Sequence, residues 1–212
     1  MRPRSSPTSW RYTLLAIALA GALAFVQWKG WLPGDDQART PERPSVRKTG
    51  SWDELRGCTL AEDRSNDGDS FEVLHEGKRH VVRLYFVDCP EKFRHQYNGS
   101  RIAEQGRYFG GLTEEETVGI GERARDFSLN LLGAGAFTIL TRWEKVFDSE
   151  RCYSFVSVPQ GDLGELLVSE GLARIFTKGE NRPGGESAAA GKKRLQQLEQ
   201  QAKAAGRGAW RR

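Results

Sequence analysis

The amino-acid sequence predicts an α+β fold rich in β-strand, set behind an apolar N-terminal segment. Three observations carry this reading. Asp67 to Glu91 has the signature of a β-hairpin, Phe137 to Trp143 and Cys152 to Val158 are further β-branched and aromatic runs, and Thr113 to Gly133 and Ser187 to Ala205 carry helix start and stop signals. With 212 residues and 38% hydrophobic composition, the chain is long enough for one sizeable domain plus appendages, and it shows no internal repeat. The net charge of +4 suits a polyanionic partner, but it falls short of the concentrated basic footprint that would argue nucleic acid unaided.

Residues 1–11 hold Arg2, Arg4 and Arg11 and no acid, and Tyr12 to Val26 is uncharged and rich in Leu and Ala. Residues 1–32 therefore read as a signal peptide or a signal-anchor transmembrane segment. The arginines favour an inside N-terminus, which puts the rest of the chain outside the cytoplasm: membrane-anchored and facing outward, or periplasmic or secreted if the signal is cleaved. Ala22-Leu23-Ala24 offers a small-residue cleavage site, whereas Phe25, Val26, Trp28 and Trp31 carry the apolar character past it and favour the uncleaved anchor. Residues 33–52, with Gly34, two aspartates, Pro41 and Pro44, read as a linker, leaving 53–212 as the folded domain.

Within that domain, Gly57 to Glu62 is the first expected strand and Asp63 to Asn66 a polar turn. Asp67-Gly68 is a turn dipeptide, Phe71 to Leu74 suits a strand, Glu76-Gly77-Lys78 is a short turn, and Val81 to Val87 is the returning strand. Pro90 stops it, because proline cannot donate to the ladder and forces Cys89 to be extended. The hairpin carries Asp69, Arg83, Asp88 and Glu91 towards one neighbourhood. Taken singly, each has an ordinary reading as a turn residue or a solvated charge. Taken together, three carboxylates repel one another unless a hard cation sits among them, and oxygen-only ligands suit Ca²⁺. Strict alternation puts Arg83 and Asp88 on opposite faces, so their convergence requires a bend between them.

Residues 92–111 are polar and glycine-punctuated, with a short helix expected from Ser100 to Phe109; they border the site or form a solvated loop. Thr113-Glu114-Glu115-Glu116 is a capping box, and Ile120, Ala124, Phe127 and Leu131 form one apolar stripe that Gly133 ends. A charged loop between the strands at 137–143 and 152–158 delivers Arg151. Asp162 caps a short helix ending at Gly171, and Leu172 to Phe176 is the last strand. A loop from Gly179 to Gly185 precedes the polar helix 187–205, which Gly206 stops. The three cysteines leave an odd one over; Cys58 and Cys152 are candidates to pair, although spacing alone does not decide it. A nucleophilic Cys89 would need a base, and none of His75, His80 and His95 has a spacing that marks one. No His/Cys spacing suggests zinc.

Asp67-Gly68-Asp69-Ser70, followed by Val82-Arg83-Leu84-Tyr85-Phe86-Val87-Asp88-Cys89-Pro90-Glu91, closely resembles the corresponding hairpin of the staphylococcal nuclease (thermonuclease) family. Asp148-Ser149-Glu150-Arg151, Gly171-Leu172-Ala173 and Gly208-Ala209-Trp210 also look like that family, and the resemblance runs from about Arg56 to the C-terminus. It implies a five-stranded OB-fold barrel with packed helices and a Ca²⁺-dependent endonuclease acting on DNA and RNA; Trp210, after the last helix, is expected to dock back on the barrel. It further implies Ca²⁺ ligation by Asp69, Asp88 and the backbone carbonyl of Cys89, with Glu91 as general base and Arg83 and Arg151 on the phosphate. These roles suit the residue types: a positioned carboxylate can take a proton from water, and guanidinium groups donate paired bonds to phosphate oxygens.

The sequence departs from the family in two places. Ser149-Glu150 replaces the usual tyrosine and glycine before the second arginine, with one residue fewer after the aspartate. The tyrosines expected after the last strand are absent, which leaves Phe176 as the aromatic for base stacking. The competing class is an OB-type module that holds nucleic acid without cutting it, and its members are expected to lack the acids or arginines kept here. The expected partners are nucleic acid as substrate and the membrane through the N-terminal segment, and the expected state is a monomer.

Overall fold

The computed structural model describes residues 45–211. The expected signal or anchor at 1–32, and the linker up to residue 44, lie outside the described residues. No helix among the described residues is long and apolar enough to cross a membrane. Part of the expected linker is a strand: β1 (Ser45–Thr49) pairs antiparallel with the start of β2 (Trp52–Leu60), and Trp52 is buried.

Five strands close into a barrel. β2 pairs with β3 (Ser70–His75), and β3 with β4 (Lys78–Leu84); β4 runs parallel to β7 (Cys152–Val158), which pairs with β6 (Phe137–Lys145), which returns to β2. This is the topology of an OB-type barrel. One strand can serve both edges because β2 shifts register between Leu55 and Cys58, where Gly57 adopts φ 74°, a left-handed conformation open to glycine. The β3–β4 turn has positive φ at both Glu76 and Gly77, the twist that favours a two-residue hairpin. Phe71, Val73 and His75 are buried at alternate positions, and Phe71 and Val73 join Val82, Leu84, Ile139, Phe155 and Val156 in the core.

The second hairpin strand is shorter than expected. β4 ends at Leu84, and Phe86 takes φ 67°; β5 (Val87–Asp88) then leaves the barrel to pair with β9 (Arg174–Ile175), all that becomes regular strand of the expected 172–176 run. The Phe86 backbone is fixed from two sides, its N–H donating to Lys178 O at 2.8 Å and its carbonyl accepting from Phe176 N–H at 2.8 Å.

Helix α1 (Gly99–Tyr108) matches the short helix expected in the 92–111 segment. Helix α2 (Glu114–Gly133) has the full capping box: Thr113 Oγ1 accepts from Glu116 N–H at 3.2 Å, and Glu116 Oε2 accepts from Thr113 N–H at 2.8 Å. Its buried face runs through Thr117, Ile120, Gly121, Ala124, Ser128 and Leu132, so Phe127 and Leu131 flank the stripe instead of centring it. The centre holds small residues because α2 lies directly on loop backbone. A Cβ at Gly121 would collide with the carbonyl oxygens of Pro90 and Glu91, and Ser128 Oγ donates to Gly68 O at 2.6 Å.

After the short β8 (Gly161–Asp162), Asp162 caps α3 (Leu163–Ser169) by accepting from Glu165 N–H at 3.0 Å. Ser187 caps α4 (Ala188–Ala204) in the same way. Trp210 packs against the hydrophobic core, its ring 5.0 Å from Phe109 and 6.2 Å from Tyr108 at the end of α1, with Lys203 Nζ of α4 4.3 Å above it. The three cysteines are free thiols.

Candidate active site

Asp69 sits just before β3, behind the Asp67-Gly68 turn; Arg83 is the penultimate residue of β4; Asp88 ends β5; and Cys89-Pro90-Glu91 forms the loop that α2 backs. Lys92 Nζ ties that loop to the preceding turn by donating to the carbonyls of Arg64 at 3.3 Å, Ser65 at 3.1 Å and Asn66. Beside them opens a cleft of about 1010 Å³. Its lining includes Asp67, Asp69, Arg83, Asp88, Glu91 and Arg101 together with Lys145, Phe147, Arg151, Tyr153, Phe176 and Lys178.

The bend at Phe86 brings Arg83 between two acids. Its Nη1 donates to Asp69 Oδ1 and its Nη2 donates to Asp88 Oδ1 at 2.6 Å. Asp69 Oδ2 accepts from the Cys89 N–H. Asp88 is fully buried and saturated: Oδ1 also accepts from Arg101 Nη2 at 2.6 Å, and Oδ2 accepts from Arg174 Nε at 2.8 Å and Gln105 Nε2 at 3.1 Å. Glu91 Oε1 accepts from Arg101 Nε at 2.6 Å, and the Glu91 N–H donates to Gln105 Oε1 at 3.1 Å. The Cys89 carbonyl accepts from Gln105 Nε2 at 3.0 Å.

The charges are unevenly compensated. Burial pushes the Asp69 carboxyl up to about 7 against the pull of Arg83, with Asp88 and Asp67 adding to the rise. Asp67 is raised by burial as well. Burial acts on Asp88 in the same sense, but Arg83, Arg101, Gln105 and Arg174 outweigh it and hold that carboxyl below its ordinary value. Burial, then Asp69 and Asp67, drive the Cys89 thiol well above the usual range, so it stays protonated, which argues against the nucleophile reading.

Arg151 and Phe176 share the cleft with the acids but do not bond to them. Arg151 Nε donates to Ser149 Oγ at 3.3 Å, so a residue that departs from the family pattern is what orients the arginine. Phe176 is half exposed and carries the Arg174 guanidinium 3.8 Å from its ring centre. Four site residues escaped the sequence reading. Arg101 and Gln105 lie four apart on one face of α1, a spacing visible in the sequence once that segment is placed at the site. Arg174 follows three residues after Gly171. Phe147, 88% exposed at φ 51°, gives the cleft a second exposed aromatic beside Phe176.

Among the described residues, no group of three or more His, Cys, Asp or Glu side chains is arranged to hold a metal ion. The smaller set of two carboxylates still fits a hard cation in its chemistry. Asp69 Oδ1 and Asp88 Oδ1 converge on one guanidinium, so the two carboxylates already share a single cationic partner.

A closed five-stranded barrel with an acid- and arginine-lined cleft beside it defines an OB-type domain suited to phosphate-bearing ligands. The profile of the family described as staphylococcal nuclease homologue matches residues 81–212, and the chain belongs to that family. The match takes in Arg83, Asp88, Cys89, Glu91, Arg151 and Phe176, while Asp69 precedes it. No curated protein matches the chain. Family membership supports a nuclease-like or nucleic-acid-binding role.

Proposed function

We propose that the domain is a Ca²⁺-dependent endonuclease that hydrolyses phosphodiester bonds of DNA, RNA or both. The observation that carries this reading is the convergence of Asp69, Asp88, Glu91 and Arg83 on one cleft that Arg151 also lines. Asp69 and Asp88 would hold the ion, joined by the Cys89 carbonyl when the Gln105 amide turns away from it. When bound there, Ca²⁺ supplies Lewis-acid stabilisation of charge on the phosphate. Glu91 orients the attacking water and takes its proton at a carboxylate oxygen. Arg83 and Arg151 donate to the non-bridging phosphate oxygens, offsetting charge as it develops. Phe176 offers a face for a base.

One observation favours a second reading, a binding module that does not cut: the lone pairs of Asp88 are already filled by protein donors. Incubating the purified full-length protein with labelled single-stranded DNA and RNA, with Ca²⁺ or with a chelator, separates the two. Ca²⁺-dependent cleavage supports the enzyme, and retention of uncut strands in both conditions supports the module. The protein acts as a monomer outside the cytoplasm, held to the membrane by residues 1–32 or released from it. N-terminal sequencing of the mature protein distinguishes those two forms.

A further inference from the structure

We infer that Arg101, supplied by α1, is a positioning residue for the reaction proposed above: it ties the base Glu91 to Asp88 so that the two carboxylates act as one unit. The inference rests on the reading of Glu91 as the base. Arg101 spans the two acids with two different nitrogens, Nε on Glu91 Oε1 and Nη2 on Asp88 Oδ1, each at 2.6 Å. A planar guanidinium fixes the angle between its two partners, which an ammonium cannot do. No other side chain among the described residues donates to the Glu91 carboxylate, although its backbone is well held. Gln105, one turn further along α1, accepts from the Glu91 N–H at 3.1 Å, and α2 packs against the Glu91 carbonyl at Gly121. Among the described residues, the one tether on the part of Glu91 that would meet water is therefore Arg101.

The helix is built to hold that tether still. Ile102 and Gln105 are fully buried, and Gly106 lies so close to the Leu112 carbonyl that a Cβ would not fit. Arg101 itself lines the cleft with its side chain 41% exposed, so truncating it removes a reach into the site and little core. A carboxylate released from such a tether samples orientations that do not face the phosphorus. A misplacement of about 1 Å can cost on the order of a hundredfold in rate.

The test is a double-mutant cycle on the full-length protein, measuring kcat and KM on single-stranded DNA with Ca²⁺ present, together with the melting temperature. Arg101→Ala should lower kcat by about ten- to a hundredfold with KM and melting temperature nearly unchanged. Arg101→Lys should restore only part of kcat, and added guanidinium should partly rescue Arg101→Ala. In a Glu91→Gln background, Arg101→Ala should cost less than about twofold more, because its effect passes through Glu91. Equal losses in both backgrounds would overturn the inference, with a raised KM assigning Arg101 to the phosphate and a lowered melting temperature assigning it to α1 docking. A gain in kcat would also overturn it, making the bridge a restraint. If Glu91→Gln alone keeps full activity, the base assignment fails and takes this inference with it. If Glu91→Gln is inactive but Arg101→Ala is not impaired, only the inference fails.

Discussion

Arg83 donates to Asp88 at 2.6 Å, although the two stand five residues apart in one β-rich run and regular alternation would turn them to opposite faces. Phe86 makes the contact possible. Its left-handed φ of 67° interrupts the run and redirects Val87 and Asp88 to a different partner strand. A non-glycine residue held there costs of order 1–3 kcal/mol, so the surroundings must over-determine it. They do: the ring is buried, Phe155 lies 6.1 Å away, and Gly179 lies against the ring edge.

Gly179→Ala should therefore act on the site from a distance. A Cβ at residue 179 would collide with the Phe86 ring, which has little room to yield inside the core. Overpacking of this kind costs roughly 1–3 kcal/mol. Denaturant unfolding should show a lower midpoint, and activity should fall with it as Asp88 is pushed from Arg83. A variant with parental stability would mean that Phe86 is free to move.

This bend shows how the sequence can be read and where it stops. The hairpin, the capping box at Thr113 and the helix at 99–108 follow from local chemistry: turn dipeptides, caps and periodicity. Membership of the acid set follows too, because Asp69, Arg83, Asp88 and Glu91 stand in recognisable short motifs. That a bend was needed could be deduced from the period-two conflict. Its place at Phe86 could not, since it depends on Lys178 and Phe176, about ninety residues away along the chain. Arg101, Gln105 and Arg174 were missed for a similar reason. Nothing local separates a surface arginine on a polar helix from one that reaches a buried aspartate; the difference is tertiary.

A second positional test uses two glycines on one helix. Replacing glycine by alanine inside a helix gains about 1 kcal/mol from propensity alone. At Gly119 nothing stands within 4 Å of an added Cβ, so Gly119→Ala should raise the unfolding midpoint. At Gly121 the added methyl would meet the Pro90 and Glu91 carbonyls, and the clash should outweigh the propensity gain. Gly121→Ala should thus destabilise and also slow turnover by displacing Glu91. Equal stabilisation of both variants would show that α2 does not press on the loop.

Asp69 predicts an unusual pH response in the metal-free protein. Its folded carboxyl is raised from 3.8 to about 7, so between those values the folded chain keeps a proton that the unfolded chain has lost. The slope of unfolding free energy with pH is then negative for this group. Its contribution is fully present below 3.8 and disappears as pH rises through about 7. Melting temperature with chelator present should decline from pH 5 to pH 7.5 more steeply in the parent than in Asp69→Asn, which cannot titrate. Ca²⁺ should reverse the decline in the parent at pH 7.5 by mass action. Calorimetry should show weakened Ca²⁺ binding in Asp69→Ala, and unchanged affinity would remove Asp69 from the proposed metal site.

Glu91 offers the sharpest division between a base and a ligand. Its carboxylate meets Arg101 and the cleft, whereas Asp69 and Asp88 share the Arg83 fork. Glu91→Gln keeps the shape and one acceptor oxygen but cannot take a proton from water. The fold should persist, because the residue lies at the cleft rim and its backbone bond to Gln105 does not depend on the side chain. Ca²⁺ affinity by calorimetry should stay near the parental value, while kcat falls by roughly two to four orders of magnitude with little change in KM. Arg151→Lys should also slow turnover, since an ammonium lacks the bidentate fork. A Glu91→Gln protein that cuts DNA at nearly the parental rate under saturating Ca²⁺ would refute the base assignment. Loss of Ca²⁺ binding together with activity would instead make Glu91 a ligand, and the proposed metal site would then contain three carboxylates.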